Sequence, residues 1–325
     1  MTASYAFIIV HKLVEPLRRI EITFLGTSAG APTRERGLSA VLVHDGKRYI
    51  LLDCGEGTQY KLLNCDVSVH RIDIVLITHL HGDHVFGLPG LLASMTLLGR
   101  TRELVVIGPV GIYEYLSCNI KFLGRLPFPL KILEIEPPSQ VQEVLRQDDL
   151  KILTVKTRHT CESVAFSLVW KIPLGKFNPE KARALGVPTH LWKQLHYGEP
   201  VVLPDGRVVR PEEVVTVTTR GYLKLTYTGD TAPCEEVVEL AQESDVLIHE
   251  ATFSADEKPE DVWPQGHSRT VDAAEIALRA RVRKLILTHI SSRYAGQEDK
   301  LLQEARRVFP NTYIARDLEK YYISV

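Results

Sequence analysis

The stretch from Ile72 to His84, IDIVLITHLHGDH, constrains this chain more than any other. Its first half is a near-continuous apolar run, the pattern of a strand buried on both faces. A chain with such a strand needs a sheet covered by other structure on each side. Directly after it, Thr78-His79-Leu80-His81-Gly82-Asp83-His84 places three histidines and a carboxylate within six residues. Imidazole and carboxylate are the ligands that suit Zn2+ where no thiolate site is built. A regular strand or helix would point some of these side chains apart, whereas a turn containing Gly82 can bring them inward together. A lone histidine there reads as solvated surface; H-x-H-x-D-H at the end of a buried strand reads as a metal site.

The rest of the chain supplies the sheets. Segments 20–25, 39–44 and 49–53 read as strands, with Asp45-Gly46 as a hairpin turn. A second strand-rich stretch starts near Leu150 and continues over 163–170; segments 222–228, 246–249 and 284–288 follow. Amphipathic helices are expected over 87–98, 234–241, 270–279 and 299–308. The whole suggests two packed sheets with helices outside, in two similar halves. Residues 171–200 break the pattern with Pro and Gly at positions that include 173, 175, 179, 186, 188 and 198. Within them Asn178, Pro179 and Gly186 frame a short helix as N-cap, first residue and terminator. We read this segment as an arm leaving the domain.

Composition narrows the class. The chain is 45% apolar and 24% charged, as in soluble globular proteins, and its net charge of −1 means that any nucleic-acid binding must come from local basic surface. Five scattered cysteines with no C-x-x-C pair argue against a disulfide framework or a thiolate zinc finger. The stretch Tyr5–Val10 is too short to span a membrane and reads as an extra strand or docked tail within an extension, 1–19. No other segment is long and apolar enough, so a cytoplasmic protein with no membrane partner is expected.

Further histidines and acids stand at strand ends: His159 after the strand near 150–155, Asp230 after 222–228, and His289 after 284–287. With H-x-H-x-D-H, this series resembles the metallo-β-lactamase superfamily. The resemblance implies an α/β, αββα sandwich of two mixed sheets over 20–325. It also implies two zinc ions, with Mn2+ as the alternative metal. One ion would take His79, His81 and His159; the other Asp83, His84 and His289; Asp230 would bridge them, and Asp53 would support the metal loop from behind. Several stretches resemble the tRNase Z family within that superfamily: HGDHVFGLPG from His81, HEATF from His249, GHS from Gly266, LTHISSRY from Leu287, FLGTSAGAPT from Phe24 and KFNPEKARALGVP from Lys176.

That resemblance implies a zinc-dependent endoribonuclease. It would remove the 3′ trailer of precursor tRNA, leaving a 3′-hydroxyl on the tRNA and a 5′-phosphate on the trailer, with a metal-bridging hydroxide as nucleophile. Asp83 would take that nucleophile's proton. Glu250 and His267 would protonate the leaving oxygen, or Glu250 would instead orient a metal ligand. Arg293 is a candidate phosphate clamp, and Arg269 a further phosphate contact. Lys171, Lys176, Lys181, Arg183 and Lys193 give the arm a local basic excess suited to a duplex backbone. The family resemblance also implies a homodimer. The alternative is a phosphodiesterase of the same fold acting on small or cyclic phosphodiesters, for which neither the arm nor the Glu250/His267 pair would be needed. In this chain Val187-Pro188 is followed by Thr189-His190 where the family usually has Gly-Pro, and Arg269 is inserted into the His-Ser-Thr loop.

Overall fold

The structure is a computed structural model that describes residues 18–324. The expected strand or docked tail at Tyr5–Val10 lies outside them. Arg18 and Arg19 belong to the domain. Arg19 opens the first strand, and Arg18 ion-pairs with Asp45 and Asp149. The sheets therefore begin ahead of the expected boundary at 20.

Two seven-stranded sheets form the centre. The first has the spatial order Lys320–Ser324, Arg19–Gly26, Ala40–His44, Tyr49–Leu52, Ile72–Leu76, Leu104–Pro109 and Leu130–Ile135. The second runs Thr312–Ile314, Leu285–Thr288, Val246–Glu250, Tyr222–Tyr227, Val164–Lys171, Leu150–Lys156 and Gln142–Gln147. Each sheet joins an antiparallel meander to a parallel half, three pairings of each kind. The two halves are thus similar in architecture.

The inner faces of the sheets meet in one core. Phe24, Leu52 and Leu76 from the first pack with Phe166, Trp170 and Leu225 from the second. Each such side chain contributes roughly 1.5–3 kcal/mol by leaving water. Trp170 is fully buried, and its indole N–H donates to Asp45 Oδ2 at 2.9 Å, so the largest core residue carries no unpaired polar atom. Helices Gly87–Leu97 and Ile112–Leu123 cover the outer face of the first sheet. Helices Glu235–Ala241, Thr270–Arg279 and Glu298–Arg306 cover the second. This is the expected αββα sandwich. No helix of the described residues is long and apolar enough to cross a membrane.

The arm is larger than expected. It does not end at Pro200, because strand Gly175–Phe177 pairs with Val215–Val217, and Val201–Val202 pairs with Val208–Val209 around Asp205-Gly206. These pairings enclose a small core of its own, including Ala182, Val187, Leu195, Val209 and Val214. The short helix is Pro179–Ala184; the Asn178 side chain accepts from the Lys181 N–H, and Gly186 takes a left-handed φ of 75° just beyond it. The arm is therefore a self-packed excursion over 175–217.

Candidate functional site

The site gathers where strands of both sheets end. Strand Ile72–Leu76 stops at Ile77, and His79 and His81 follow before a single helical turn, Gly82–Val85, which carries Asp83 and His84. The turn does not draw on the backbone freedom expected of Gly82. Its φ is not unusual, but a Cβ there would lie 2.4 Å from the Phe86 ring. His159 follows strand Leu150–Lys156, Asp230 follows Tyr222–Tyr227, and His289 follows Leu285–Thr288. A ligand-type atom from each of Asp83, His84, Asp230 and His289 falls within one 4.8 Å group; His79, His81, His159 and Cys161 form another. Asp230 also groups with His159 and His267, so it stands between the two clusters.

Surrounding side chains fix which nitrogen of each imidazole faces inward. Asp53 accepts from the Thr78 N–H at 2.7 Å and the Tyr227 hydroxyl at 2.8 Å, and its Oδ2 lies 2.7 Å from His84 Nδ1. His84 Nε2 is left facing Asp230 Oδ1 at 3.3 Å. His159 Nδ1 donates to the Gly266 carbonyl at 2.8 Å. Gly266 permits that approach: its φ is 75°, and a Cβ would lie 2.6 Å from that nitrogen. His289 Nδ1 pairs with the Thr252 hydroxyl at 2.9 Å, turning Nε2 toward Asp83 and Asp230. Asp53 and His289 both hold a left-handed backbone, φ 56° and 55°, at a cost of about 1–3 kcal/mol each that the surrounding structure offsets.

Two atoms at the centre, His79 Nε2 and Asp230 Oδ1, are buried and make no hydrogen bond. Buried polar atoms are rarely left so. Burial, together with the neighbouring histidines, holds the His79 pKa well below its ordinary value, so the ring is neutral and has a lone pair to give. Burial would raise the Asp230 carboxyl, but His289 and His84 hold it well below the carboxylate range. Burial would likewise lower His84, yet Asp230 and Asp53 on either side push it up. The donors and the field around them fit a cation, and the arrangement is that of a divalent-metal site.

Next to this cluster, His267 Nδ1 lies 2.9 Å from Glu250 Oε1. Glu250 is buried and accepts from the Thr231 and Thr252 N–H groups, each at 3.0 Å, and from the Thr252 hydroxyl at 2.7 Å. It pairs with His267, and through Thr252 it braces His289. Burial opposes charge on His267, but Glu250 outweighs it and raises the pKa to about 9. Arg293 is exposed and stacks its guanidinium 5.0 Å from the Phe253 ring, which itself contacts His267. Arg269, in contrast, is held bidentately by Asp272 at 2.7 and 3.0 Å at the start of helix Thr270–Arg279. Cys161, beside the histidine triad, was not singled out by sequence.

In the arm, Lys176, Lys181, Arg183 and Lys193 are exposed. Lys171 differs: it ends the core strand Val164–Lys171 and ion-pairs with Glu199 at the arm's root. Arg183 lies 5.2 Å from the Trp192 ring and Lys193 5.7 Å from the Tyr197 ring.

Comparison with known proteins agrees with this geometry. A family model described as the anti-Pycsar protein Apyc1 matches residues 20–174, and one described as a beta-lactamase superfamily domain matches residues 194–290. The chain is 44% identical to a ribonuclease Z of Gemmatimonas aurantiaca, over 91% of this chain and 93% of that one. It is 40% identical to a ribonuclease Z of Bacillus cereus, over 93% and 99%. Among solved structures, the short form of human tRNase Z superposes with a TM-score of 0.68 at 26% identity, covering 94% of this chain and 100% of that one. A metallo-beta-lactamase fold protein of Bacillus subtilis, YhfI, gives the same TM-score at 21% identity, a likeness of fold. Sequence identity of this extent and coverage, on a sandwich carrying this histidine–aspartate cluster, means that the chain belongs to the ribonuclease Z family.

Proposed function

We propose that this chain is the endoribonuclease that removes the 3′ trailer from precursor tRNA, using two zinc ions. The observation that carries the reading is the pairing of the histidine–aspartate cluster with the Glu250–His267 couple at its rim. His79, His81 and His159 would hold one ion, Asp83, His84 and His289 the other, and Asp230 would face both. When bound, the metal supplies Lewis acidity for the phosphate and lowers the pKa of water at the site.

The chain's own residues do the rest. Asp83 has its Oδ2 tied to the Gly30 N–H at 2.9 Å. Burial would raise its carboxyl, but the His289 imidazole beside it holds it far below the usual range, as a cation bound there would, so it is ionised. His267 keeps a proton on the imidazole that faces the site and delivers it to the departing 3′ oxygen. Arg293 clamps a non-bridging phosphate oxygen. Lys176, Lys181, Arg183 and Lys193 grip the tRNA backbone at a distance from the cut, without reading sequence. The self-packed arm is what a small-phosphodiester enzyme does not need, and it favours the tRNA reading.

We further propose a homodimer. Tyr60, Leu63, Leu97 and Leu98 are each more than 60% exposed on or at the end of neighbouring helices of the first half, and these apolar side chains suit burial against a second copy. Elemental analysis of active protein tests the metal assignment: close to two zinc ions per chain is expected, and one or none would contradict it.

A further inference from the structure

Two residues tie the sheets together directly behind the cluster. Asp53 follows strand Tyr49–Leu52 of the first sheet, and Tyr227 ends strand Tyr222–Tyr227 of the second. The Tyr227 hydroxyl crosses between the sheets and donates to Asp53 Oδ2 at 2.8 Å. The same oxygen lies 2.7 Å from His84 Nδ1 and accepts from the Thr78 hydroxyl at 2.9 Å. A hydroxyl has a single proton to donate. Thr78 gives its proton to the carboxylate, so its oxygen is the acceptor for His79 Nδ1, 3.1 Å away. That turns His79 Nε2, which is buried and makes no hydrogen bond, toward the ligand cluster. One carboxylate thus stands behind a histidine from each half of the site. Asp53, Thr78 and Tyr227 are all buried, which leaves no solvent at hand to replace a lost donor. Burial, together with Asp53, pushes the Tyr227 phenol far above its ordinary range, so it stays a donor. Two residues on, Gly229 presses against Thr78: its φ is 59°, and a Cβ there would lie 2.6 Å from Thr78 Oγ1.

We infer that Tyr227 is a positioning residue of the metal site. Its hydroxyl holds Asp53, and Asp53 orients His84 directly and His79 through Thr78. The inference rests on the metal reading of the cluster. The strand end that carries Tyr227 also delivers Asp230, three residues on. One element of the second sheet therefore supplies a ligand and, through Tyr227, fixes ligands of the first sheet around it. Without the hydroxyl, Asp53 keeps only the Thr78 N–H, the Thr78 hydroxyl and His84 as partners. All three belong to the first sheet, so the carboxylate loses its side-chain reference to the strand that ends at Asp230. Partners that orient metal ligands from behind are worth on the order of 10- to 100-fold in metal affinity.

The full-length chain, stripped with a chelator and titrated with Zn2+ or Co2+ alone, provides the test. Tyr227→Phe removes one oxygen and keeps the ring. Its Zn2+ affinity should fall by about tenfold or more, and its visible Co2+ bands should change shape, while the metal-free protein keeps its circular dichroism. Tyr222→Phe, on the same strand but with its hydroxyl on Glu243, should bind both metals as the native protein does. Tyr227→Phe added to Asp53→Asn should cost less affinity than it does alone, because the tyrosine acts through the carboxylate. Native affinity and native cobalt bands in Tyr227→Phe, or losses that simply add in the double variant, would overturn the positioning role while leaving the metal site standing. A Tyr227→Phe chain that does not fold would overturn it too, by making the bond a support of the fold. Absence of metal binding in the native protein would instead overturn the metal reading itself.

Discussion

His267 Nδ1 and Glu250 Oε1 lie 2.9 Å apart, and Glu250 is itself buried and held by two backbone N–H groups and a hydroxyl. The carboxylate is fixed before substrate arrives, so its charge acts on the imidazole at no cost of reorganisation. On the proposed function, this couple is the proton donor beside the metal cluster. His267→Ala should retain metal content and tRNA affinity while turnover falls on the order of 10²–10⁴-fold. Loss of metal in the variant, measured by elemental analysis, would mean that His267 is a ligand.

The same couple fixes a pH dependence. Glu250 raises His267 to about 9 against the pull of burial, so the protonated acid persists through neutrality and is lost as pH rises. Cations bound in the adjacent cluster would repel that proton and place the alkaline limb of kcat below this value. Glu250→Gln removes the main interaction holding the proton and should move the limb to lower pH by about a unit or more. An unmoved limb would assign the titration to another group.

The arm gives a separable activity. The Leu174 carbonyl accepts from both the Thr218 and Thr219 N–H groups at 2.9 Å, so the arm's two ends are already adjacent. Replacing 175–217 by a short Gly/Ser link should leave the sandwich intact, since loop closure depends only weakly on length. Hydrolysis of a small aryl phosphodiester should persist, while precursor tRNA cleavage should weaken mainly through KM. Equal loss of both activities would make the arm a support of the active site.

Much of this was legible because the informative residues sit at the ends of strongly apolar strands. The run before His79 and the isolated acids and histidines at 159, 230 and 289 each mark a strand end, and the fold brings those ends together. What was not legible depended on contacts between distant segments. Strand Gln142–Gln147 is mostly polar and half-exposed, and exists because it pairs with Leu150–Lys156. Strand Leu104–Pro109 and helix Ile112–Leu123 were also missed, although Gly108-Pro109 and Gly111 mark the break between them. The arm's second half was missed although Asp205-Gly206 between valine pairs is a hairpin signal. Cys161 was passed over because a cysteine outside a C-x-x-C pair carries no signal of its own; its place beside the histidine triad comes from the fold.

Lys224 predicts a stability signature away from the site. It is 9% exposed on strand Tyr222–Tyr227, its Nζ donating to the Gln242 carbonyl at 2.9 Å, and burial lowers its pKa from 10.5 to about 8. Between those values the unfolded chain binds the proton and the folded chain does not, so this lysine makes stability rise with pH across that window. Below about 8 the full cost is present. The unfolding free energy of Lys224→Met relative to the native protein should therefore fall by about 2–3 kcal/mol between pH 7.5 and 10.5. A pH-independent difference, by urea titration at both pH values, would contradict the buried-amine account.

The proposed dimer face makes a further demand. Leu63→Asp and Leu97→Asp replace side chains 64% and 86% exposed, so neither should disturb the monomer fold. If this face joins two copies, sedimentation should shift the variants toward monomer. Variants that sediment as the native protein does would remove the face from consideration.

The central claim is that this site cuts tRNA at its 3′ end. The direct measurement is incubation of the metal-loaded protein with a tRNA carrying a 3′ trailer, followed by mapping of the cut and both new ends. The account predicts a single cut at the tRNA–trailer junction, a 3′-hydroxyl on the tRNA and a 5′-phosphate on the trailer. Intact precursor alongside active hydrolysis of a small phosphodiester, or a 3′-phosphate on the tRNA, would contradict it.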